Sequence, residues 1–218
     1  VHAFLFDGVP IEPTGPAVEG FQIRDVAAET NFVSLEHSAL DLKLDCQRQE
    51  EGDATFFDVT LQDTSGKDRA VTLVYAVPLP AADCQWLRDP RQSVPVVEGR
   101  EYLDATRYAA GANGRMSRYP FGAVAGPDGG VALGIDMSHP AFFRVGYNAG
   151  TQELFLAYDI GLAPEKPVAH LRFCKFRFDP AWGFRGALSR FYELFPEQFA
   201  CRIPQQGLWM PFAKISDV

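Results

Sequence analysis

The 218-residue sequence predicts a mostly β protein, a large antiparallel β-sandwich with one C-terminal α-helix. Apolar and polar residues alternate through several segments of strand length, and turn residues separate those segments. The composition agrees, because eighteen phenylalanines against three methionines is typical of an aromatic, β-rich core. One segment near the C terminus has the period of a helix instead. We therefore expect about ten or eleven strands in two packed sheets, followed by that helix.

The strands of the first half are the most regular. Residues 40–47 alternate between leucine or cysteine and charged or amide side chains, which predicts a half-buried antiparallel strand. Residues 55–61 alternate again after a Glu-Glu-Gly-Asp turn, and residues 70–79 follow a second polar turn. A shorter alternating run at residues 21–26 precedes them. Three consecutive alternating strands joined by polar turns predict a β-meander.

The second half of the chain resumes this pattern, with strands predicted at residues 121–125, 131–137, 142–147, 153–162 and 168–178. The last of these interleaves basic side chains with phenylalanines, but the alternation slips at Cys174 and Lys175. A β-bulge at that point would restore the apolar face. Between the two halves the pattern is weaker. Short strands are expected there at residues 86–87 and 100–108, with a loop at 111–114.

The helix is predicted to begin after Asp179, which can serve as its N-cap, with Pro180 in the first helical position. An apolar stripe then follows at steps of four, three and four residues, formed by Phe184, Leu188, Phe191 and Phe195. Pro196 ends the helix. We expect this stripe to be buried against a sheet.

The net charge and the cysteine spacing indicate which partners and cofactors the protein is not expected to bind. A net charge of −8 disfavours nucleic acid and anionic membranes, because both require a basic face. No apolar run approaches the roughly 20 residues that span a bilayer. The four cysteines, Cys46, Cys84, Cys174 and Cys201, lack the paired spacing of a zinc site, so neither a metal nor a cofactor is predicted. Buried free thiols are the favoured interpretation. Disulfides remain an alternative if the protein is exported or periplasmic, and the sequence leaves the compartment open.

Three groups of short motifs carry a resemblance to a known family. The first is DRAVTL at residues 68–73, with Pro-Leu-Pro at 78–80 and Trp86 downstream. The second is YPFGAV at 119–124 followed by GVALGI at 130–135. The third is WGFR at 182–185, FYELFP at 191–196 and GLWMPF at 207–212. Together they resemble the N-terminal galactose-mutarotase-like super-sandwich domain that precedes the catalytic barrel in large glycoside hydrolases.

This resemblance implies a noncatalytic accessory domain at residues 31–200, after an N-terminal strand and connector at 1–30. Residues 201–218 would then be a linker or the start of a catalytic domain, so we expect the chain to be a piece of a larger protein. The implied partners are that downstream domain in cis and, through the whole protein, a carbohydrate. The expected domain interface consists of Phe191, Phe195, Trp209, Met210 and Phe212.

Two alternatives stay open. A free-standing carbohydrate-binding module would stack sugars on exposed aromatic side chains, for which Trp86 and Tyr119 are the candidates. A sugar epimerase or lyase would need a histidine and a carboxylate that converge on a sugar ring, and His139 with Asp136 and Arg144 at one predicted hairpin end is the most site-like group. Acids on the strands are ordinary outer-face residues in this pattern, so no catalytic residue is predicted.

Overall fold

The computed structural model describes residues 18–106 and 116–202. Fourteen strands lie within these residues: β1 Gly20–Asp25, β2 Val33–Ser34, β3 Ser38–Ala39, β4 Leu42–Glu51, β5 Ala54–Asp63, β6 Arg69–Pro78, β7 Gln85–Asp89, β8 Gln92–Pro95, β9 Glu101–Tyr102, β10 Phe121–Gly126, β11 Gly129–Ile135, β12 Phe143–Asn148, β13 Glu153–Leu162 and β14 Val168–Phe178. The smaller sheet has six strands in the order β2-β1-β6-β13-β12-β9. The larger sheet has eight in the order β3-β4-β5-β14-β11-β10-β7-β8. All the pairings described are antiparallel, which confirms the predicted β-sandwich.

The space between the sheets is filled by aromatic and branched side chains, as the alternating strands predict. Phe57 and Phe173 of the larger sheet stack with ring centroids 4.4 Å apart. Tyr75 of the smaller sheet meets these rings at 4.7 and 5.0 Å. Offset and tilted aromatic contacts of this kind add to the stabilisation that burial of the rings already provides. These rings form the centre of the sandwich.

The predicted meander is wrong at its third strand. β4 and β5 pair along ten residues, but β6 leaves their sheet and lies between β1 and β13 in the smaller one. Both faces of β6 are apolar: Leu73 and Tyr75 face the sandwich interior, while Val74 and Ala76 pack on the opposite face. A strand that can bury both faces is more stable at the centre of a covered sheet than in a half-exposed meander.

Arg69 holds the crossing between the two sheets. Its Nε donates to Asp25 at 2.7 Å and its Nη1 donates to Asp63 at 3.0 Å, so one guanidinium joins β1, β5 and β6. Its Nη2 also donates to the backbone oxygen of Leu40 at 3.0 Å. Burial alone would raise the pKa values of Asp25 and Asp63. Their hydrogen bonds and the positive charge of Arg69 nevertheless hold both below the ordinary value of 3.8.

The predicted bulge at Cys174 and Lys175 is also wrong, because β14 pairs in continuous register with both of its neighbours there. The alternation changes for another reason. Phe173 faces the sandwich interior, whereas Cys174 and Phe176 face a helix that covers the outer side of the larger sheet. Both faces of the strand are therefore buried along this stretch, and the apolar pattern no longer has a period of two.

That helix is α1, Phe184–Leu194, and a short helix α2, Pro196–Phe199, follows it. Asp179 caps a preceding 3₁₀ turn, Pro180–Trp182, rather than α1, since its Oδ1 accepts from the backbone N–H of Ala181 at 2.9 Å. The predicted stripe is confirmed for Phe184, Phe191 and Phe195, which are buried, while Leu188 is half-buried. Arg190 binds Asp53 in the β4–β5 turn and so attaches the polar side of the helix to the sheet.

Candidate functional site

The turn that follows β11 brings part of the predicted site together. The Oδ1 atom of Asp136 accepts hydrogen bonds from the backbone N–H and the hydroxyl of Ser138, at 2.8 and 2.5 Å. Its Oδ2 lies 3.7 Å from Nδ1 of His139 and 3.4 Å from Nη1 of Arg172. The Nε atom of Arg172 lies 3.4 Å from the carboxylate of Asp58. Both carboxylate oxygens are therefore engaged within the protein, and these contacts order the turn.

Ser138, His139 and Asp136 do not form a nucleophilic relay. The serine Oγ lies 2.9 Å from Nδ1 of His139, but its hydroxyl also lies against the carboxylate of Asp136. In a serine–histidine–carboxylate triad the imidazole stands between the other two groups and uses a different ring nitrogen for each. Here both neighbours approach the same nitrogen, so the imidazole cannot transfer a proton from one to the other.

Arg144 does not join this group, contrary to the prediction. It lies on the outer face of the smaller sheet, where its Nη2 donates to Asp159 at 2.6 Å, and the hydroxyl of Thr72 donates to the same oxygen at 2.9 Å. Burial lowers the pKa of the Arg144 guanidinium even though the carboxylate of Asp159 acts in the opposite direction. Arg172, which the sequence pattern did not single out for this turn, is the cation that faces Asp136.

Of the two aromatic candidates for sugar stacking, Trp86 is buried and Tyr119 is half-buried. Trp86 is 3% exposed, and its Nε1 donates to Asp104 at 2.8 Å. Tyr119 packs edge-on against Phe184 with centroids 4.8 Å apart. The cavity beside them has a volume of about 10 Å³, room for one water molecule at most. Trp86 therefore presents no open ring face to a sugar in this structure.

Other aromatic residues are exposed. Trp182 is 74% exposed, and Tyr192 and Phe199 are 44% and 37% exposed, with their rings 4.2 Å apart. We call these three the C-terminal aromatic set. Phe142, close to His139 in sequence, is exposed as well. The helical period could have identified Tyr192, which falls beside the buried stripe. No periodic signal marks Trp182, because it precedes the helix.

The predicted interface residues that can be located lie inside this fold. Phe191 and Phe195 pack against each other with centroids 4.8 Å apart, and Phe191 also meets Phe121 and Phe176 of the larger sheet. Neither ring offers a surface to another domain. The remaining three predicted interface residues, Trp209, Met210 and Phe212, lie outside the described residues.

A further concave region among the described residues lies where sequence analysis predicted no site. A groove of about 770 Å³ runs between the open edges of the two sheets, along β1, residues 34–37 and β4. A pocket of about 420 Å³ lies at the adjacent end of the sandwich, between the β4–β5 turn, the end of β6 and the C-terminal end of β14. Glu19 lines both. We call them the edge groove and the end pocket.

Glu19 is held firmly between these two cavities. Its Oε1 accepts hydrogen bonds from the hydroxyl of Tyr75 at 2.5 Å and from Nζ of Lys175 at 2.7 Å. Burial on its own would raise the pKa of Glu19, but these hydrogen bonds and the nearby charges of Lys175 and Arg48 lower it. Burial and the hydrogen bond to Glu19 raise the pKa of Tyr75. The carboxylate is thus ionised and fixed in position at neutral pH.

Within residues 18–106 and 116–202, no group of three or more histidine, cysteine or acidic side chains is placed to hold a metal ion. No helix in that part of the chain is long and apolar enough to cross a membrane. In the same part of the chain, the thiols of Cys46, Cys84 and Cys174 are free.

Two packed antiparallel sheets with a helix on one outer face make this a β-sandwich protein. Among solved structures it is similar to the GH36 alpha-galactosidase AgaA of Geobacillus stearothermophilus, with a TM-score of 0.46, 15% identity and a match that covers 72% of this chain and 24% of that one. It is also similar to the alpha-N-acetylgalactosaminidase NagBb of Bifidobacterium bifidum, with a TM-score of 0.46, 13% identity and coverage of 82% and 33%. A third similar structure is the Slr1438 protein of Synechocystis sp. PCC 6803, with a TM-score of 0.34, 10% identity and coverage of 62% and 54%.

The chain therefore spans between a quarter and a third of the two glycoside hydrolases, and about half of the third protein. No protein-family model and no curated protein matches the sequence.

Proposed function

We propose that this chain is a noncatalytic β-sandwich accessory domain of a carbohydrate-active enzyme of the glycoside-hydrolase kind. In this proposal it packs on a downstream catalytic domain and supports it. The proposal rests on the position of the exposed aromatic side chains. Four are exposed among the described residues, and three of them, the C-terminal aromatic set, lie between residues 182 and 199.

Exposed aromatic residues gathered in one segment are typical of protein–protein contacts, because they bury a large apolar area at a small entropic cost. Single exposed apolar residues scattered over a surface need no such explanation. Phe199 also touches Phe191, at a centroid distance of 6.0 Å, so the pair of Tyr192 and Phe199 is continuous with the core beneath the helix. A partner that covered the set would extend that core.

A noncatalytic role is supported by the hydrogen bonds and ion pairs that three carboxylates make within the protein. Sugar hydrolysis needs two of them across an open site, one ionised and one that carries a proton. Asp136 is bound by Ser138 and Arg172, and Asp159 is bound by Arg144 and Thr72. Burial raises the pKa of Asp104, but that side chain accepts from Trp86 beside a cavity far too small for a sugar.

The domain-packing proposal is tested with a Trp182→Ser/Tyr192→Ser variant, made both in the 218-residue chain and in the whole protein. Exposed sites contribute little within the isolated chain, so its unfolding free energy should change by less than about 0.5 kcal/mol. In the whole protein the same variant should uncouple the unfolding of this domain from that of its neighbour in calorimetry. Phe142→Ser, another exposed aromatic, is the matched control and should change neither.

Equal behaviour of the double variant and the control in the whole protein would exclude the aromatic set as the interface. The noncatalytic role is tested separately. The 218-residue chain should not hydrolyse aryl glycosides or interconvert the anomers of free aldoses. Turnover that disappears in Asp136→Asn or His139→Ala would instead support an epimerase or lyase.

A further inference from the structure

The edge groove and the end pocket meet at one fixed cluster of polar side chains that the proposed function does not use. Glu19 stands at the junction, with Tyr75 behind it and Lys175 on the side of the end pocket. Arg48 lines the edge groove from β4, with its guanidinium 5.5 Å from the centre of the Phe57 ring. Arg48 and Lys175 of the larger sheet thus converge with Glu19, the residue before β1 of the smaller sheet, where the two cavities join.

The side chains of this cluster are held in position within the protein, and some of their hydrogen-bonding groups take no part in the contacts that hold them. Both hydrogen bonds to Glu19 fall on Oε1, which leaves Oε2 with no part in either. Lys175 has three N–H donors, and its bond to Glu19 uses one of them. Since Tyr75 is buried in the aromatic core, it fixes the carboxylate on a rigid element rather than on a loop. Groups that are positioned before binding lose little entropy when a ligand arrives.

The chemistry of the lining points to an uncharged ligand that is rich in hydroxyl groups. We propose that the junction of the edge groove and the end pocket is a saccharide-binding site, in which Glu19, Lys175 and Arg48 bind the hydroxyl groups of one or two sugar rings. A carboxylate accepts from a hydroxyl while ammonium and guanidinium groups donate to it, so the cluster offers both roles to neighbouring sugar hydroxyls.

The volume of the edge groove suits a small molecule, and the side chains that line it disfavour an anionic ligand or a metal ion. The edge groove, at about 770 Å³, lies within the range of small-molecule sites, which is about 300–1,000 Å³. Its lining carries three acids, Glu19, Glu36 and Asp45, and one arginine, Arg48, so an anionic ligand would meet more negative than positive charge. A metal ion is disfavoured because no suitable group of ligands occurs among the described residues. The site is independent of whether the domain packs on a catalytic partner.

The test is an NMR titration of the isotopically labelled 218-residue chain with galactose, glucose, N-acetylgalactosamine and melibiose. At least one sugar should give saturable changes in the amide signals of residues 19–22, 46–48 and 175, with a Kd on the order of 1 mM or tighter. Loss of a charge-assisted hydrogen bond should weaken binding about tenfold or more in Glu19→Gln and in Lys175→Met. Glu165→Gln, an exposed acid on the connector before β14, is the matched control and should leave Kd unchanged.

Arg48→Gln is a second variant that tests the binding site, because this side chain is exposed and its replacement should not impair folding. It should also weaken binding about tenfold, with the circular dichroism spectrum unchanged. Absence of saturable changes with all four sugars would overturn the proposal. So would changes that cluster at the Asp136–His139 turn, or equal affinities of the wild type, Glu19→Gln and Arg48→Gln.

Discussion

The ring of Phe191 lies so close to Gly134 that no larger residue fits beneath it. A Cβ atom added at Gly134 would stand 2.8 Å from Cε2 of Phe191 and 3.2 Å from Cβ of Phe121. This contact sets how closely helix α1 approaches the larger sheet. Gly134 therefore contributes to the fold by having no side chain, and Phe191 contributes by filling that space.

The contributions of Phe191 and Gly134 to the free energy of unfolding should be measurable in denaturant unfolding. Phe191→Ala removes a buried ring and should cost about 3–5 kcal/mol in the free energy of unfolding. Gly134→Ala forces the ring away and should cost about 1–3 kcal/mol. Gly161→Ala is the control, since a Cβ there meets no atom within 4 Å. Equal stabilities of the Gly134→Ala and Gly161→Ala variants would show that the helix does not rest on Gly134.

Replacement of Arg69 should destabilise the fold strongly. Arg69→Met leaves the carboxylates of Asp25 and Asp63 buried without their cation, which should cost about 3–5 kcal/mol. Arg88→Met removes a half-exposed partner of Asp104 and should cost about 1 kcal/mol or less. Thermal unfolding of the two variants provides the comparison. A small loss in Arg69→Met would mean that the sheet crossing is held by backbone pairing alone.

The same carboxylates make stability depend on pH in a defined direction. Because the folded state lowers the pKa values of Asp25 and Asp63, their contribution is present above the ordinary value of 3.8 and is lost as pH falls below it. We expect the unfolding free energy to decrease below that pH. The decrease should be smaller in Asp25→Asn/Asp63→Asn, which has no charge to lose at these sites. A variant with the wild-type slope would assign the acid sensitivity to other groups.

The thiols should react in the order of their exposure. Cys201 is exposed and Cys46 is half-buried, whereas Cys84 and Cys174 are buried. Burial also raises the pKa of the Cys174 thiol, so this residue carries little thiolate at neutral pH. Iodoacetamide with mass-spectrometric mapping should modify Cys201 first in the native protein and Cys174 only after unfolding. Modification of Cys174 in the native protein would show that the helix opens from the sheet.

Tryptophan fluorescence should separate the exposed from the buried indoles. Iodide should quench Trp182, which is 74% exposed, and should not quench Trp86, which is 3% exposed. Trp182→Phe should therefore remove most of the quenchable signal from this part of the chain, and Trp86→Phe should leave it. Trp209 lies outside the described residues. As an expected interface residue it is predicted to be partly exposed in the 218-residue chain, which Trp209→Phe can check in the same experiment. Quenching that survives Trp182→Phe but disappears in Trp86→Phe would contradict the burial described here.

Alternating patterns together with the turn residues that separate them predicted the long strands well. The bounds of β13 and β14 coincide with the predicted residues 153–162 and 168–178, and β4, β5 and β6 differ from prediction by a few residues. The helical stripe was likewise visible because Phe184, Phe191 and Phe195 share one face. These features depend on residues two to four positions apart, so they can be recognised in the sequence itself.

The candidate sites were less predictable, because each depends on partners far apart in the chain. Asp136 meets Arg172 rather than Arg144, and Glu19 meets Tyr75 and Lys175 across most of the protein. Spacing carries no information about such contacts. A charged residue on an alternating strand looks the same whether it faces water, a buried partner or a groove between two sheet edges.

The sequence by itself determined the secondary structure of this protein: long alternating strands, a single substantial C-terminal helix among the described residues, and an aromatic core. Only the tertiary structure decided that β6 crosses to the smaller sheet, that both faces of β14 are covered, and that Glu19 lies at the meeting of two cavities. The physical reason is one of range. Backbone periodicity is local, whereas strand partners, buried faces and cavities are selected by how much apolar surface the whole chain buries at once.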